Sequence, residues 1–219
     1  MKKNITNSKT MLQVPQDKLI VTVKTKYIKN FSEIAKRAAI ADNASVHLED
    51  LVNIVGEIVS LPNVVSDDRW HKGFTTKDMQ VGDVFIFSHS VIYDWYQNKH
   101  MGDPLYKNLI SIHGKEYWMA DITKVYAVIR NNETIMVNGY VMATPFEEDK
   151  IFVTAAHKKI KGVKSSTVMY VGNAKEGNKK ISAKQGDTIY YSPKYPIKYQ
   201  INDKPFIILQ QHQILGTAQ

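Results

Sequence analysis

The chain has 219 residues, of which 43% are hydrophobic and 23% are charged, so it is long enough for one large or two small globular domains. It has no cysteine, which excludes disulfides, zinc–thiolate centres and cysteine nucleophiles. No apolar run approaches the roughly 20 residues of a membrane-spanning helix, and no apolar core follows the basic N-terminus, so we expect a soluble, unprocessed protein of a reducing cytoplasm. The net charge of +8 permits binding to an acidic partner such as nucleic acid, but it also suits a well-solvated surface.

Short runs of alternating apolar residues, rich in β-branched and aromatic side chains, dominate the chain. One stretch is predicted to be helical, because Ser32 is placed to cap the segment 33–41. The pattern therefore predicts a mainly all-β protein, for which small barrels or sandwiches are the usual architectures. The predicted strands are, in chain order, 19–23, 56–61, 83–87, 124–129, 140–144, 167–171, 187–191 and 205–210.

The strand motifs occur twice in the same order. The run 81–87 (VGDVFIF) matches 185–191 (QGDTIYY), because a Gly-Asp turn precedes an alternating strand in each. The other matching pairs are 19–23 with 140–144, 56–59 with 166–169, and 117–126 with 208–215. Four matches in one order predict a duplicated domain, with residues 1–136 as the first copy and 137–219 as the second.

The first copy is the longer one, and the extra residues fall in two insertions. The first insertion spans about 24–53 and includes the predicted helix, and the second spans about 88–115. Insertions between strands lie on the surface and often carry specificity. We therefore expect these two segments to distinguish the first copy functionally from the second.

The second copy contains an ordered set of motifs that ends in a closing β-pair. The set comprises an opening strand (140–144), an apolar tripeptide and the residue after it (151–154), a strand ending in Val-Gly (168–172), a roof hairpin (173–185), a Gly-Asp turn with its strand (186–191) and the closing segment (195–215). Residues 137–219 thereby resemble a GroES-type co-chaperonin, the lid of a chaperonin. The resemblance implies two tandem GroES-like small β-barrels, similar to the tandem lids of plastids and some virus-encoded co-chaperonins.

This resemblance implies a non-enzymatic, ring-forming homo-oligomer without a cofactor. It would bind a GroEL-type chaperonin through mobile apolar loops and enclose a folding client, while the chaperonin binds the ATP. The lid would act in the cytoplasm, or in the host cytoplasm if the protein is virus-encoded, where the client could be a capsid protein. The chaperonin-binding residues would be Ile151, Phe152, Val153 and Thr154.

The first copy offers no obvious equivalent of the mobile loop. Two short apolar segments are candidates: Ala39, Ile40 and Ala41, or Val46, His47 and Leu48. The roof loop of the second copy departs from the family pattern, because it is rich in lysine where many members are aromatic or acidic. The roof loop includes Lys175, Gly177, Lys179 and Lys180.

Several alternatives remain open on the residues alone. The tripeptide 151–153 could be an ordinary core strand, and the lysines of 158–184, close to several tyrosines, could bind single-stranded nucleic acid in a structural or virion protein. His89, His100 and His113 do not have the spacing of a helical metal site, so no metal is expected. The chain has neither a phosphate-binding glycine loop nor a Gly-x-Ser-x-Gly elbow, which argues against an enzyme.

Overall fold

The computed structural model describes residues 14–23, 55–92, 108–145, 149–153, 159–178, 180–192, 194, 196–201 and 204–218. The strands of the first half are β1 (Lys18–Val23), β2 (Val55–Ser60), β3 (Val84–Phe87), β4 (Leu109–Ile112), β5 (Lys115–Asp121) and β6 (Val125–Arg130). Those that follow are β7 (Glu133–Met136), β8 (Tyr140–Ala143), β9 (Asp149–Val153), β10 (Lys159–Val171), β11 (Thr188–Tyr191), β12 (Ile197–Ile201), β13 (Lys204–Gln210) and β14 (Ile214–Ala218). Short 3-10 helices occupy His89–Val91, Ile122–Lys124 and Gln211–Gln213.

The strands form two antiparallel sheets. Sheet 1 has the order β4-β5-β1-β2-β3-β6-β7, and sheet 2 has the order β12-β13-β8-β10-β11-β14, with β9 paired to β10. The predicted mainly β class is confirmed. The predicted closed barrels are not found, because within the described ranges both sheets are open; closure requires a particular strand tilt and stagger, which apolar alternation does not encode. The predicted helix 33–41 lies outside the described residues.

The two sheets have the same strand order and the same register. The pair Leu19–Ala120 between β1 and β5 corresponds to Val141–Leu209 between β8 and β13. From β4 to β6, each residue corresponds to the one 89 positions further along the chain, as in Asp121 and Gln210. The irregularity in the β1–β2 ladder also recurs at the same position between β8 and β10. Below, residues related in this way are called counterparts.

Each sheet buries one apolar cluster of its own. Leu19, Ile58 and Phe85 are fully buried in the cluster of sheet 1, and Ile189 and Leu209 are fully buried in that of sheet 2. These residues lie in the alternating runs from which the strands are predicted, so burial of one face explains the pattern. The predicted insertion 88–115 includes β4, whose counterpart in sheet 2 is β12.

A third apolar cluster joins the two halves of the chain, and we call it the joint. Strand β7 lies directly before the predicted boundary between residues 136 and 137 and pairs with β6, so it adds an edge strand to sheet 1. In the joint, the rings of Tyr126 and Tyr140 meet edge to face at 5.0 Å between centroids. The buried Tyr199 hydroxyl donates a hydrogen bond to the Phe87 carbonyl oxygen at 3.2 Å. The cluster comprises Ile86, Tyr126, Ala127, Met136, Tyr140, Met142, Tyr199 and Ile208.

Candidate functional site: a hairpin and a roof

The apolar tripeptide Ile151, Phe152 and Val153 lies in β9, which forms a hairpin with the first part of β10. Val153 pairs with Lys159 and Phe152 pairs with Ile160, so the tripeptide is next to the hairpin tip. Thr154 and the rest of the tip lie outside the described residues. The sequence predicts the next strand only from residue 167, whereas the structure is extended from Lys159 onward because β10 pairs with β9 there.

The hairpin is continuous with the core of sheet 2. Strand β10 has 13 residues; its first part pairs with β9, and its second part pairs with β11 and β8. Val163 is buried between the two parts, and the Ser166 hydroxyl lies 2.8 Å from the Tyr191 hydroxyl. Burial raises the pKa of Tyr191, although the hydrogen bond with Ser166 partly opposes this. The strand that carries the hairpin is therefore fixed at its base by buried contacts.

The predicted roof loop packs against the first half of the chain. The Lys175 ammonium lies 3.9 Å from the centroid of the Phe74 ring, and burial lowers the pKa of Lys175. The amide nitrogen of Glu176 donates to the Gly73 carbonyl oxygen at 2.8 Å. Gly177 supplies the turn with a φ of 80°. Lysine-rich composition gave no signal for this contact, which depends on residues about 100 positions apart in the sequence.

Only some of the remaining predicted residues lie within the described ranges. Lys180 is exposed, whereas Lys179 lies outside the described residues. The two candidate segments of the first copy, 39–41 and 46–48, also lie outside them. His113 is exposed in the turn between β4 and β5, and His100 is outside the described ranges. The structure therefore does not bring the three discussed histidines together as a described site.

A cluster of ionisable side chains on sheet 1 was not predicted, and we call it the His71 cluster. The His71 ring nitrogens lie 3.0 Å from an Asp68 oxygen and 3.2 Å from an Asp121 oxygen. Lys18 donates to the other side of the cluster through a 2.6 Å contact with Asp121, and Asp17 lies 3.8 Å from His71. The members come from separate segments of the chain, so no spacing in the sequence indicates the cluster.

The contacts in the His71 cluster favour the protonated form of His71 and the ionised form of Asp121. Partial burial lowers the pKa of His71, but its hydrogen bonds with Asp68 and Asp121 and the charges of Asp121 and Asp17 outweigh this and raise it overall. Burial raises the pKa of Asp121, but hydrogen bonds from Lys18, Thr123 and His71 lower it well below its usual range. Ligand atoms of Asp17, Asp68 and His71 lie within 4.8 Å of one another, which is close enough for one metal ion. The same atoms already take part in hydrogen bonds, between His71 and Asp68 and from Ser66 to Asp17.

An open cavity of about 500 Å³ adjoins the His71 cluster. Its lining combines members of the His71 cluster with apolar side chains. Trp70, at 69% exposure, is the most exposed large hydrophobic residue that lines it. The lining includes Lys18, Trp70, His71, Met119, Asp121 and Lys124.

The second half thus has a sheet of antiparallel strands and a hairpin that carries the apolar tripeptide, while the described part of the predicted roof, 173–185, is a loop without strands. Residues 132–218 match the family model described as Chaperonin 10 Kd subunit. The match confirms the resemblance to GroES-type co-chaperonins for this part of the chain. No curated protein matches the chain. In the described ranges, no helix combines the length and apolar character needed to span a membrane.

Proposed function

We propose that the protein is a co-chaperonin, a ring-forming lid that binds a GroEL-type chaperonin and encloses a folding client. The family match over residues 132–218 is the observation that carries this proposal. The lid itself would be non-enzymatic and would work in the cytoplasm, with the chaperonin binding and hydrolysing ATP. If the protein is virus-encoded, the cytoplasm is the host's and a capsid protein is a plausible client.

We also propose that the chain consists of two GroES-like domains, 1–136 and 137–219. Their shared strand order and register support this division. The first domain would then carry a diverged chaperonin-binding segment, at 39–41 or 46–48. Two lid domains in one chain halve the number of chains that a closed ring requires.

Ile151, Phe152, Val153 and Thr154 would bind the chaperonin at the tip of the β9–β10 hairpin. Burying each of the three apolar side chains contributes about 1.5–3 kcal/mol. Ordering the tip on binding costs roughly 1–2 kcal/mol for each residue fixed. These two terms nearly cancel, so one hairpin binds weakly. A ring that presents several hairpins binds far more firmly, because each later contact is intramolecular, and it still releases when the contacts weaken together.

The test is a binding assay with a GroEL-type chaperonin and nucleotide. The variant carries Ile151→Ser, Phe152→Ser and Val153→Ser, and the control carries Val64→Ser, which removes an exposed valine from the first half. We expect the triple variant to keep the oligomeric mass of the wild type and to lose chaperonin binding, while the control keeps both. Undiminished binding by the triple variant would refute the anchor assignment.

A second candidate function is a structural or virion protein that binds nucleic acid on the same fold. Its support is the net charge of +8 and the exposed lysines Lys180, Lys184 and Lys194 in the second half. Such binding is dominated by phosphate contacts and weakens steeply with salt. Salt-dependent retention of single-stranded DNA or RNA, together with no chaperonin binding, would favour this candidate over the lid.

A further inference from the structure

The same place in the two sheets carries different side chains. Directly before β1, the carbonyl oxygen of Asp17 accepts a hydrogen bond from the amide of Ile122 at 2.9 Å; directly before β8, the carbonyl oxygen of its counterpart Gly139 accepts one from the amide of Gln211 at 2.9 Å. The backbone contact is therefore the same in both sheets. Sheet 1 has a buried carboxylate at this position, whereas sheet 2 has no side chain there, so the fold forms without this carboxylate.

A second position differs in the same way. Asp121, at the end of β5, has a carboxylate oxygen 3.2 Å from the His71 ring, whereas its counterpart Gln210 has a neutral amide that donates to the Tyr140 hydroxyl at 2.8 Å. Sheet 1 thus has carboxylates at two positions where sheet 2 has none, and both belong to the His71 cluster. The two sheets share their strand order and register, so the repeated architecture does not account for these carboxylates.

His71 has carboxylates on both sides of its ring. Nε2 lies 3.2 Å from an Asp121 oxygen, and Nδ1 lies 3.0 Å from both Asp68 oxygens. A neutral imidazole can donate through only one of these nitrogens, and the other then directs its lone pair at a carboxylate. Asp121 is held beside Nε2 by Lys18 and by the amide and hydroxyl of Thr123, at 2.6, 2.9 and 2.6 Å. A cation bound at Nδ1 therefore removes the repulsion on the opposite side of the ring.

We propose that Asp17, Asp68 and Nδ1 of His71 bind one divalent transition-metal ion, and that Zn²⁺ suits this donor set. Zinc sites in proteins use histidine nitrogen and carboxylate oxygen, and a ligating histidine usually donates its other ring N–H to a further carboxylate or carbonyl. Asp121 is that further carboxylate, because it faces Nε2 of the same ring. All four residues lie outside 132–218, so the proposal goes beyond the co-chaperonin function and does not depend on it.

The spacing of the ligand atoms fits one ion. Nδ1 of His71 lies 3.0 Å from the Asp68 oxygens and 3.8 Å from an Asp17 oxygen, and the three ligand atoms lie within 4.8 Å of one another. Ligands of a tetrahedral zinc ion, each about 2.0–2.2 Å from the metal, are about 3.3–3.6 Å apart, so the two distances from His71 fall on either side of this spacing. Asp17 keeps its hydrogen bonds from Ser66, since a carboxylate has lone pairs for these donors and for a metal.

Charge and access favour the same ligand. Lys18 pairs with Asp121, whereas Asp17 and Asp68 both face Nδ1 of the His71 ring. Two carboxylates match the charge of one divalent ion. Asp17 is buried and holds the inner side of the site, whereas Asp68 is exposed, so water can supply the fourth ligand. The open cavity of about 500 Å³ that adjoins the ring gives an ion a path to the cluster.

An ion at this site links separate parts of the first half. Asp17 directly precedes β1, whereas Asp68 and His71 lie in the segment 61–83, which connects β2 to β3 without a strand of its own. Binding adds to the free energy of unfolding, because the unfolded chain does not hold the three ligands together. We therefore expect the ion to stabilise the first half and to hold this segment on sheet 1.

Isothermal titration of the full-length, untagged and chelator-treated protein with Zn²⁺ tests the site. The variants are His71→Gln and Asp17→Asn, and the matched control is His113→Asn at the exposed turn histidine. We expect the wild type and the control to bind one ion per chain with equal affinity. Binding should weaken by about 10–100-fold in Asp121→Asn, which changes only the partner of Nε2, and by more than about 100-fold in the two ligand variants. Circular dichroism checks that each variant is folded.

Trypsin digestion and melting temperature separate this site from adventitious binding by surface histidines. We expect Zn²⁺ to raise the melting temperature and to slow cleavage after Arg69 in the wild type and in His113→Asn, but not in His71→Gln. A wild type without a stoichiometric site, or a folded ligand variant with wild-type affinity and protection, would overturn the proposal. None of these measurements uses a chaperonin, so metal binding and chaperonin binding can fail separately.

Discussion

The two sheets have one architecture but different surroundings. Their Gly-Asp turns are built alike: Gly82 and Gly186 have φ values of 91° and 90°, which favour glycine. In each turn the aspartate carboxylate accepts a hydrogen bond from the backbone nitrogen three residues earlier, at 2.7 Å for Asp83 and 2.8 Å for Asp187. The comparison teaches that the repeated motifs specify the strand order and register of each sheet. The side chains outside these motifs differ between the sheets, and some of them form the joint.

The largest expected effect comes from comparing a residue of the joint, Tyr199, with its counterpart in sheet 1, Ile110. Tyr199→Ala removes a ring that is 3% exposed and its hydrogen bond to the Phe87 carbonyl, so we expect a loss of about 3–5 kcal/mol in the free energy of unfolding. Ile110→Ala at the half-buried counterpart should cost much less. Urea denaturation of both variants measures the difference, and equal losses would show that the joint does not stabilise the chain.

The next comparison concerns Gly56 and its counterpart Ser166. A Cβ atom on Gly56 would overlap the Thr22 carbonyl oxygen and lie 2.8 Å from the Phe85 ring, so we expect Gly56→Ser to cost about 3 kcal/mol. Ser166→Gly should cost about 1–3 kcal/mol, because it leaves the Tyr191 hydroxyl without that hydrogen bond. Thermal melts of both variants test this order, which fails if Gly56→Ser is neutral.

A smaller effect is expected from the contact between Arg130 and Asp83 at the Gly-Asp turn of sheet 1. The Arg130 guanidinium donates to both carboxylate oxygens of the buried Asp83, at 2.7 and 2.8 Å, and this contact holds the pKa of Arg130 above its ordinary value. Arg130→Gln introduces the residue found at the counterpart position, Gln219. We expect it to cost about 1–3 kcal/mol in urea denaturation. A cost near zero would mean that the backbone hydrogen bond alone satisfies Asp83.

The smallest effect is the pH dependence that the His71 cluster gives to the stability of a single chain. Because the pKa of His71 is raised on folding, its stabilisation is complete below the unfolded value of about 6.5 and is lost as pH rises through the folded value. We expect less than about 1 kcal/mol, since the cluster is partly exposed to solvent. Melting of the wild-type chain from pH 6 to pH 8 measures it, and His71→Gln should abolish the trend.

Much of the fold could be predicted because the local signals agree with the final packing. The run LIVTV lies within β1 and QGDTIYY contains β11, since alternation and a Gly-Asp turn report directly on one buried face. Strand β7 was not predicted, because its sequence Glu133–Met136 is polar at its start and owes its conformation to pairing with β6. Tertiary pairing of this kind leaves little local pattern.

The candidate site was predictable only where its residues are contiguous. The tripeptide 151–153 stands out as an apolar run between charged segments, and it lies in a strand at a hairpin tip. The contact of Lys175 with Phe74 and the His71 cluster depend on residues far apart in the sequence, so no motif could indicate them. The local pattern thus marks the segment 151–153 as apolar, and contacts between distant residues appear only in the folded chain.

Native mass measurement of the wild-type chain with a GroEL-type chaperonin, with and without nucleotide, tests the central claim most directly. The claim is that several hairpins, joined in one oligomer, bind a chaperonin together. We expect an oligomer that joins the chaperonin as a unit in the presence of nucleotide and separates without it. A monomer that forms no complex under either condition would contradict the account.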